Sequence, residues 1–258
     1  MTSLMNPILK FFRFTEMKSF MLLKKSLVTI LMLGISMMFS HQSEATHMMG
    51  ADITYKCLDS LRFEVTVTYY RDCRGVPLGR GQFTITCPSG GSQNVNLIRQ
   101  SIKEITPLCA TAAAKCNPVN QRSGDGIEAH TYTAILDFNR APLSSLKNCS
   151  DKIRMTTSIP ARNSDINTGA ANQNFFTYAE LDLKKAPCNS TPSLTSEPIS
   201  ILCCNQPFFF NNGALDITDF DSLSYSWAPP LRGWNQQIGY SGQNYAYNHP
   251  FQAFYPGS

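Results

Sequence analysis

The hydrophobic positions of this chain fall into short runs of period two, separated by clusters of Gly, Pro and Asn. Ile53, Tyr55 and Cys57 alternate with Asp52, Thr54 and Lys56. After the turn at Asp59-Ser60, Phe63, Val65, Val67 and Tyr69 alternate with Arg62, Glu64, Thr66 and Thr68. Alternation of this kind in β-branched and aromatic residues predicts strands with one face in a core and the other in water. The same pattern predicts a strand at 82–87 (Phe83, Ile85, Cys87 inward) and a short one at 95–98. It predicts a long strand at 128–138 (Tyr132, Ala134, Leu136, Phe138 inward), then strands at 152–159 (Ile153, Met155, Ile159 inward) and 175–183. Residues 142–148 predict a single helical turn, with Pro142 at a tolerated first-turn position. Residues 107–126 carry no periodicity and read as a long loop.

Seven strands at short spacing predict an all-β fold, an antiparallel β-sandwich of immunoglobulin-like type over residues 46–187. About 140 residues are enough to bury a real core. Residues 188–198, rich in Pro, Ser and Thr, predict a linker. From residue 199 a second β unit is expected, with strands at 199–203 and 207–210 and then Leu223, Tyr225 and Trp227 alternating. Too few strands follow to close a second sandwich, so this unit, residues 199–258, is expected to be incomplete.

Residues 1–45 contain no domain. Lys18, Lys24 and Lys25 precede an apolar run from Ser26 to Phe39, and Ser43-Glu44-Ala45 places small residues at the −3 and −1 positions of a cleavage site. This is the pattern of a signal peptide cut between Ala45 and Thr46. The apolar run is shorter than the ~20 residues a membrane-spanning helix needs, so no anchor is expected in the mature chain. Met17 offers an alternative start that gives a leader of ordinary length.

Charge changes the picture only once the leader is removed. The whole chain has 22 Lys+Arg and 18 Asp+Glu; five and two of these lie in residues 1–45, leaving 17 and 16. A nearly neutral mature chain without a basic run argues against a nucleic-acid partner. All nine cysteines (Cys57, Cys73, Cys87, Cys109, Cys116, Cys149, Cys188, Cys203, Cys204) follow the leader. In an exported chain that density reads as disulfides, with one thiol left over. Zinc is disfavoured, because there is no CxxC pair and the four histidines are scattered. The Cys109–Cys116 pair, flanking ATAAAK inside the unpatterned loop, is expected to form its own bridge; the other pairings stay open.

Several stretches resemble a known family. THMMGADITYKCL followed by VTVTYYRDC, then EITPLCATAAAKCN (104–117), EAHTYTAILDF (128–138), APCNSTP (186–192) and CNQPFFFNNGALD (204–216) are similar to the N-terminal region of secreted bacterial surface proteins. These are the gliding-motility-associated, adhesin-like proteins with PKD- or cadherin-like repeats. The likeness implies export, cell-surface adhesion, and a second unit that continues past Ser258, so the chain is expected to be a truncated piece of a longer gene or a short member. Where the family carries a pair of cysteines before Arg-Asn, this chain has Pro160-Ala161 before Arg162-Asn163; a bridge usual in the family is expected to be absent or rewired.

The resemblance also points to Asp216, Asp219 and Asp221, at the place of a cadherin-like D-x-D-G-D-S-L-x-Y loop. Clustered carboxylates suit calcium, which takes several oxygen ligands. This copy has an extra residue and Phe220 in place of Gly, and the alternative is a polar turn before the next strand. Aromatic residues among amides in the tail (Trp227, Trp234, Tyr240, Tyr245, Tyr247, Phe251, Phe254, Tyr255) suggest stacking on sugar rings, or ordinary packing. Arg71 and Asp72 beside Cys73 read as an ion pair at a strand end, and Asn189-Ser190-Thr191 as an exposed loop. No G-x-S-x-G, H-E-x-x-H, P-loop or Rossmann fingerprint occurs. The expectation is therefore an exported, disulfide-bonded, non-enzymatic surface module without a cofactor, calcium apart. Its partner would be an extracellular protein or polysaccharide surface, and the alternative is a carbohydrate-binding accessory domain.

Overall fold

The structure is a computed structural model. It describes residues 47–106, 116, 126–164, 166, 169–171, 173–198, 211, 213–241 and 246–248, with Ser26, Thr29 and Met32. The chain divides into two units, Met1–Ser43 and Glu44–Ser258. In the first, the three described residues are helical. No helix among the described residues is long and apolar enough to cross a membrane.

The second unit is all-β and antiparallel, as expected. Its principal strands are β1 (Met48–Asp59), β2 (Arg62–Asp72), β3 (Gly81–Cys87), β4 (Gly91–Glu104), β5 (Ile127–Asp137), β6 (Ile153–Ile159) and β7 (Phe175–Leu181). Four short strands follow: β8 (Ser193–Leu194), β9 (Ala214–Leu215), β10 (Leu231–Gly233) and β11 (Gln236–Gln237). A 3-10 turn, Leu143–Leu146, stands where the single helical turn was expected and buries both of its leucines.

Nine strands form one sheet in the order β1-β2-β5-β4-β3-β6-β7-β10-β11. The long strand β4 makes this possible. Its first half pairs with β3, from Gly81↔Leu97 to Cys87↔Gly91, and its second half pairs with β5, from Ile98↔Thr133 to Glu104↔Glu128. The register shifts between Arg99 and Ser101, and an irregularity of this kind bends and twists a strand. The sheet therefore curls, and its inward faces bury one another. Phe63, Val65, Val67 and Tyr69 of β2 and Tyr132, Ala134 and Leu136 of β5 share a single core with Phe83 and Ile85 of β3, Ile153 and Met155 of β6, and Leu181 of β7. Two contacts cross the interior between strands that are not neighbours: the Tyr69 hydroxyl meets Thr157 Oγ1 at 2.8 Å, and the Tyr55 hydroxyl donates to the Glu180 carbonyl at 2.9 Å. At the seam, Met48 N–H donates to the Ala161 carbonyl at 3.0 Å and Asn163 N–H to the Met48 carbonyl at 3.1 Å. The strands thus form one curled antiparallel sheet, its two halves joined through β4.

One expectation changes here. Strand β4 runs 14 residues rather than four, because its outer half presents mostly solvent-facing side chains and shows no apolar alternation. Residues 188–191, at the start of the expected linker, are held to β1. Cys188 is bonded to Cys57 of β1, Thr191 N–H donates to the Tyr55 carbonyl at 2.8 Å, and Tyr55 N–H donates to Thr191 Oγ1 at 2.9 Å. Strand β10 joins β7 through Leu231↔Phe176 and so extends the first sheet. Trp234, in the turn after β10, packs against Tyr178 and under the Arg154 guanidinium. The strands expected at 199–203 and 207–210 lie outside the described residues. Leu223 and Tyr225 and Trp227 are exposed and belong to no strand; alternation identifies extended backbone but not a pairing partner.

Among the described residues three disulfides tie this sheet: Cys57–Cys188, Cys73–Cys116 and Cys87–Cys149, with sequence separations of 131, 43 and 62. The Cys87–Cys149 bridge, with both residues buried, joins the end of β3 to the loop after the 3-10 turn. Closing a loop of that length removes denatured-state entropy, a contribution of about 2–5 kcal/mol. The double substitution Cys87→Ala/Cys149→Ala should lower the free energy of unfolding in guanidinium by that amount with an unchanged structure at low denaturant. A loss below about 0.5 kcal/mol would show that the bridge constrains nothing.

Candidate functional site

The register of β2, β5 and β4 lines up Arg71, Glu128 and Glu104 in one row. Arg71 is buried and forms an ion pair with Glu128 Oε2; its Nη2 also donates to the carbonyls of Cys73 at 3.1 Å and Gly75 at 2.6 Å. His130, only 2% exposed, shares the same carboxylate through Nε2 at 2.8 Å, and its Nδ1 has no partner among the described residues. Burial pushes His130 below its ordinary value; the bond to Glu128 opposes this, and Arg71 and Arg99 add to it. Asp72 points to the other side of the strand. It holds Arg74, with Arg74 Nη2 at 2.6 Å from Asp72 Oδ2. Burial drives the Asp72 carboxyl up, but the bonds from Arg74 outweigh it and hold the group below its usual value. Arg71 and Asp72 therefore do not pair with each other, as neighbours in a strand face opposite sides.

The Cys73–Cys116 bridge lies against this row and replaces the expected Cys109–Cys116 bridge. Cys73 ends β2, with its N–H on the Gly126 carbonyl, and Cys116 N–H donates to Glu104 Oε1 at 3.3 Å. The Cα atoms are 5.4 Å apart, within the range a disulfide spans. Sequence proximity favours Cys109, but the ladder brings the end of β2 to Cys116. Cys109, Cys203 and Cys204 lie outside the described residues. Among the described residues, the cysteine, histidine and carboxylate atoms that gather within 4.8 Å are those of Cys73, Cys116 and Glu128, and the two sulfurs are bonded to each other.

Asp216, Asp219 and Asp221 do not gather around a common point among the described residues. Asp216 Oδ1 accepts the N–H groups of Asp219 at 2.9 Å and Thr218 at 3.2 Å, and the Asp219 amide leads in holding this carboxyl below its ordinary value. Asp219 Oδ2 accepts the Ser190 N–H at 2.5 Å. Ser190 is buried, and its Oγ accepts the Cys57 N–H at 3.2 Å. The sequon residue Ser190 is thus part of a clamp on β1 and not of an exposed loop. Of the tail aromatics, Trp227 is exposed and Trp234 is half-buried on the sheet, while Tyr245, Phe251, Phe254 and Tyr255 lie outside the described residues.

A groove of about 340 Å³ lies on the outer face of β1 and β2. Its floor is the polar half of the first alternating pattern: Asp52 and Thr54 from β1, Thr68 and Tyr70 from β2, with Asp52 directly opposite Thr68. Tyr70 lies opposite Gly50, where an added Cβ would come within 3.3 Å of the ring. Its hydroxyl reaches diagonally to donate to Asp52 Oδ2 at 2.6 Å. Burial lifts the Asp52 carboxyl above its usual value while the Tyr70 bond pulls it down, and burial together with Asp52 pushes the Tyr70 phenol up. The proton therefore stays on Tyr70. The wall of the groove is the strap Ser193–Glu197. Clamped to β1 at Cys188 and Thr191, it pairs with β9, and the Thr195 N–H and Oγ1 both donate to the Gly213 carbonyl. It ends at an ion pair between Glu197 and Lys103 of β4 at 2.5 Å. Periodicity marks the floor residues only as solvent-facing; nothing local signals that a distant strap covers them.

Comparison with known proteins finds no matching family model, curated protein or solved structure.

The His130 environment generates a prediction. Because its folded value lies below that of the unfolded chain, the unfolded state binds more protons between the two. The stability contributed by neutral His130 is fully present above about pH 6.5, the unfolded value, and is lost as pH falls from there through the lower folded value. Urea unfolding at about pH 7.5 and pH 5.5 should show stability rising with pH, and His130→Gln should flatten that slope. An identical slope in the variant would place the titration elsewhere.

Proposed function

We propose that the chain is exported and acts outside the cytoplasm as a disulfide-bonded, non-enzymatic binding module. It would be the N-terminal segment of an adhesin-like surface protein whose partner is an extracellular protein or polysaccharide surface. The observation that supports this reading is the set of three disulfides among the described residues, two of which span sequence separations of 131 and 62. Bridges of this kind persist in oxidising compartments and are reduced in a thiol-rich cytosol. The Lys-flanked apolar run ahead of Ser43-Glu44-Ala45 supplies the export signal. The near-neutral mature charge fits a partner that is not a polyanion.

The clamp at 188–191 supports the binding half of the reading. It blunts the β1 edge, which would otherwise be free to pair with another chain, and it fixes a polar strap over the outer face of β1 and β2. Expressed in full in a secreting bacterial host, the protein should appear outside the cytoplasm with Thr46 at its N-terminus and its thiols oxidised. An intact leader in a reduced cytoplasmic pool would contradict the proposal.

A further inference from the structure

We propose that the groove between the β1–β2 outer face and the strap Ser193–Glu197 is a binding site for an oligosaccharide segment. This rests on the reading of the chain as an exported binding module and names the ligand class.

The lining supplies the warrant. Asp52 uses Oδ2 for Tyr70 and makes no second side-chain hydrogen bond among the described residues, although a carboxylate offers about four acceptor sites. The hydroxyls of Thr54, Thr68, Ser193 and Ser196 likewise carry no hydrogen bond among the described residues. Each hydroxyl is one donor and two acceptor lone pairs. Five side chains with unspent hydrogen-bonding capacity therefore converge on one concave space of about 340 Å³, at the lower end of the volumes that hold small ligands.

This chemistry selects among partners. A protein partner would need buried aromatic or arginine anchors seated in dry pockets; the groove offers one aliphatic side chain, Leu194, and one aromatic, Tyr70, whose hydroxyl is already bonded to Asp52. A polyanion would meet Asp52 and Glu197. A neutral sugar matches what is present: its hydroxyls donate to a carboxylate and exchange bonds with side-chain hydroxyls, and its ring hydrogens tolerate the threonine methyls. The site is also held in place. Asp52 is oriented by Tyr70, the floor is set by the β1–β2 register, and the strap is fixed by Cys57–Cys188, by β9 and by Lys103. Preorganisation of this kind lowers the cost of binding.

The test uses the secreted, oxidised protein and titration calorimetry against soluble hexasaccharides of glucose, mannose, galactose, xylose and N-acetylglucosamine. At least one should bind. Asp52→Asn keeps the shape but removes the charged acceptor, and should weaken that binding at least about tenfold, the usual scale of a lost charge-assisted bond. Thr68→Val, isosteric on a strand face, should weaken it several-fold, with melting temperatures close to the parent in both variants. Binding unchanged in both variants would overturn the site. A secreted, oxidised protein that binds none of the five at millimolar sugar would overturn the carbohydrate assignment while leaving the export reading standing.

Discussion

The constraint on which the molecule depends is that one antiparallel sheet must bury its own apolar face. Period-two strands have a core side and a water side, and no described helix is present in the second unit to cover the core side beyond the single 3-10 turn. The solution is β4. A strand long enough to pair with β3 over one half and β5 over the other, with a register shift between, turns the sheet back on itself. The rings of Tyr69, Tyr132 and Phe63 then meet side chains from β3, β6 and β7. Burial of this kind contributes ~25 cal/mol per Å² of apolar surface removed from water. Each interior strand therefore depends on the opposite half of the curl.

Curling leaves weak points at the seam and at the two edges, and the polar chemistry of the chain is concentrated there. Met48 is bonded to Ala161 and Asn163 across the seam. Arg71, Glu128 and His130 fill the end of the β2–β5 ladder, and Cys73–Cys116 lies against them. A buried ion pair is poor evidence of net stability, because desolvation offsets much of the attraction; what it does here is fix the geometry of the Cys73–Gly75 turn through two carbonyl bonds. The β1 edge is covered by the clamp at 188–191, held from one side by Cys57 and from the other by the Asp219 carboxylate. The same covering segment continues as the wall of the groove, so edge protection and the proposed binding site share one piece of chain.

Much of this was legible in the sequence where local pattern carries the information. The inward rows of β2 and β5 are the residues that alternation marks, and Pro142 marks the 3-10 turn. What was not legible depends on distance along the chain. The outer half of β4 has no apolar period, since Ile98 and Ile102 are exposed there. Cys116 has Cys109 nearby in sequence but meets Cys73 in space, because the β2–β5–β4 ladder and Glu104 bring it there. Asp219 reads as one of three carboxylates in a cation loop, yet its partner is the Ser190 amide far upstream. The groove combines two floor strands, polar for the ordinary reason that they face water, with a strap that composition marks only as a linker.

The most direct measurement is the disulfide map of the secreted protein, obtained by digestion without reduction followed by mass spectrometry of the linked peptides. Peptides containing Cys57 and Cys188 should be joined, as should those containing Cys73 and Cys116, and those containing Cys87 and Cys149. A link from Cys116 to Cys109, or from Cys57 to any cysteine other than Cys188, would contradict the position of the strap and of the edge it covers.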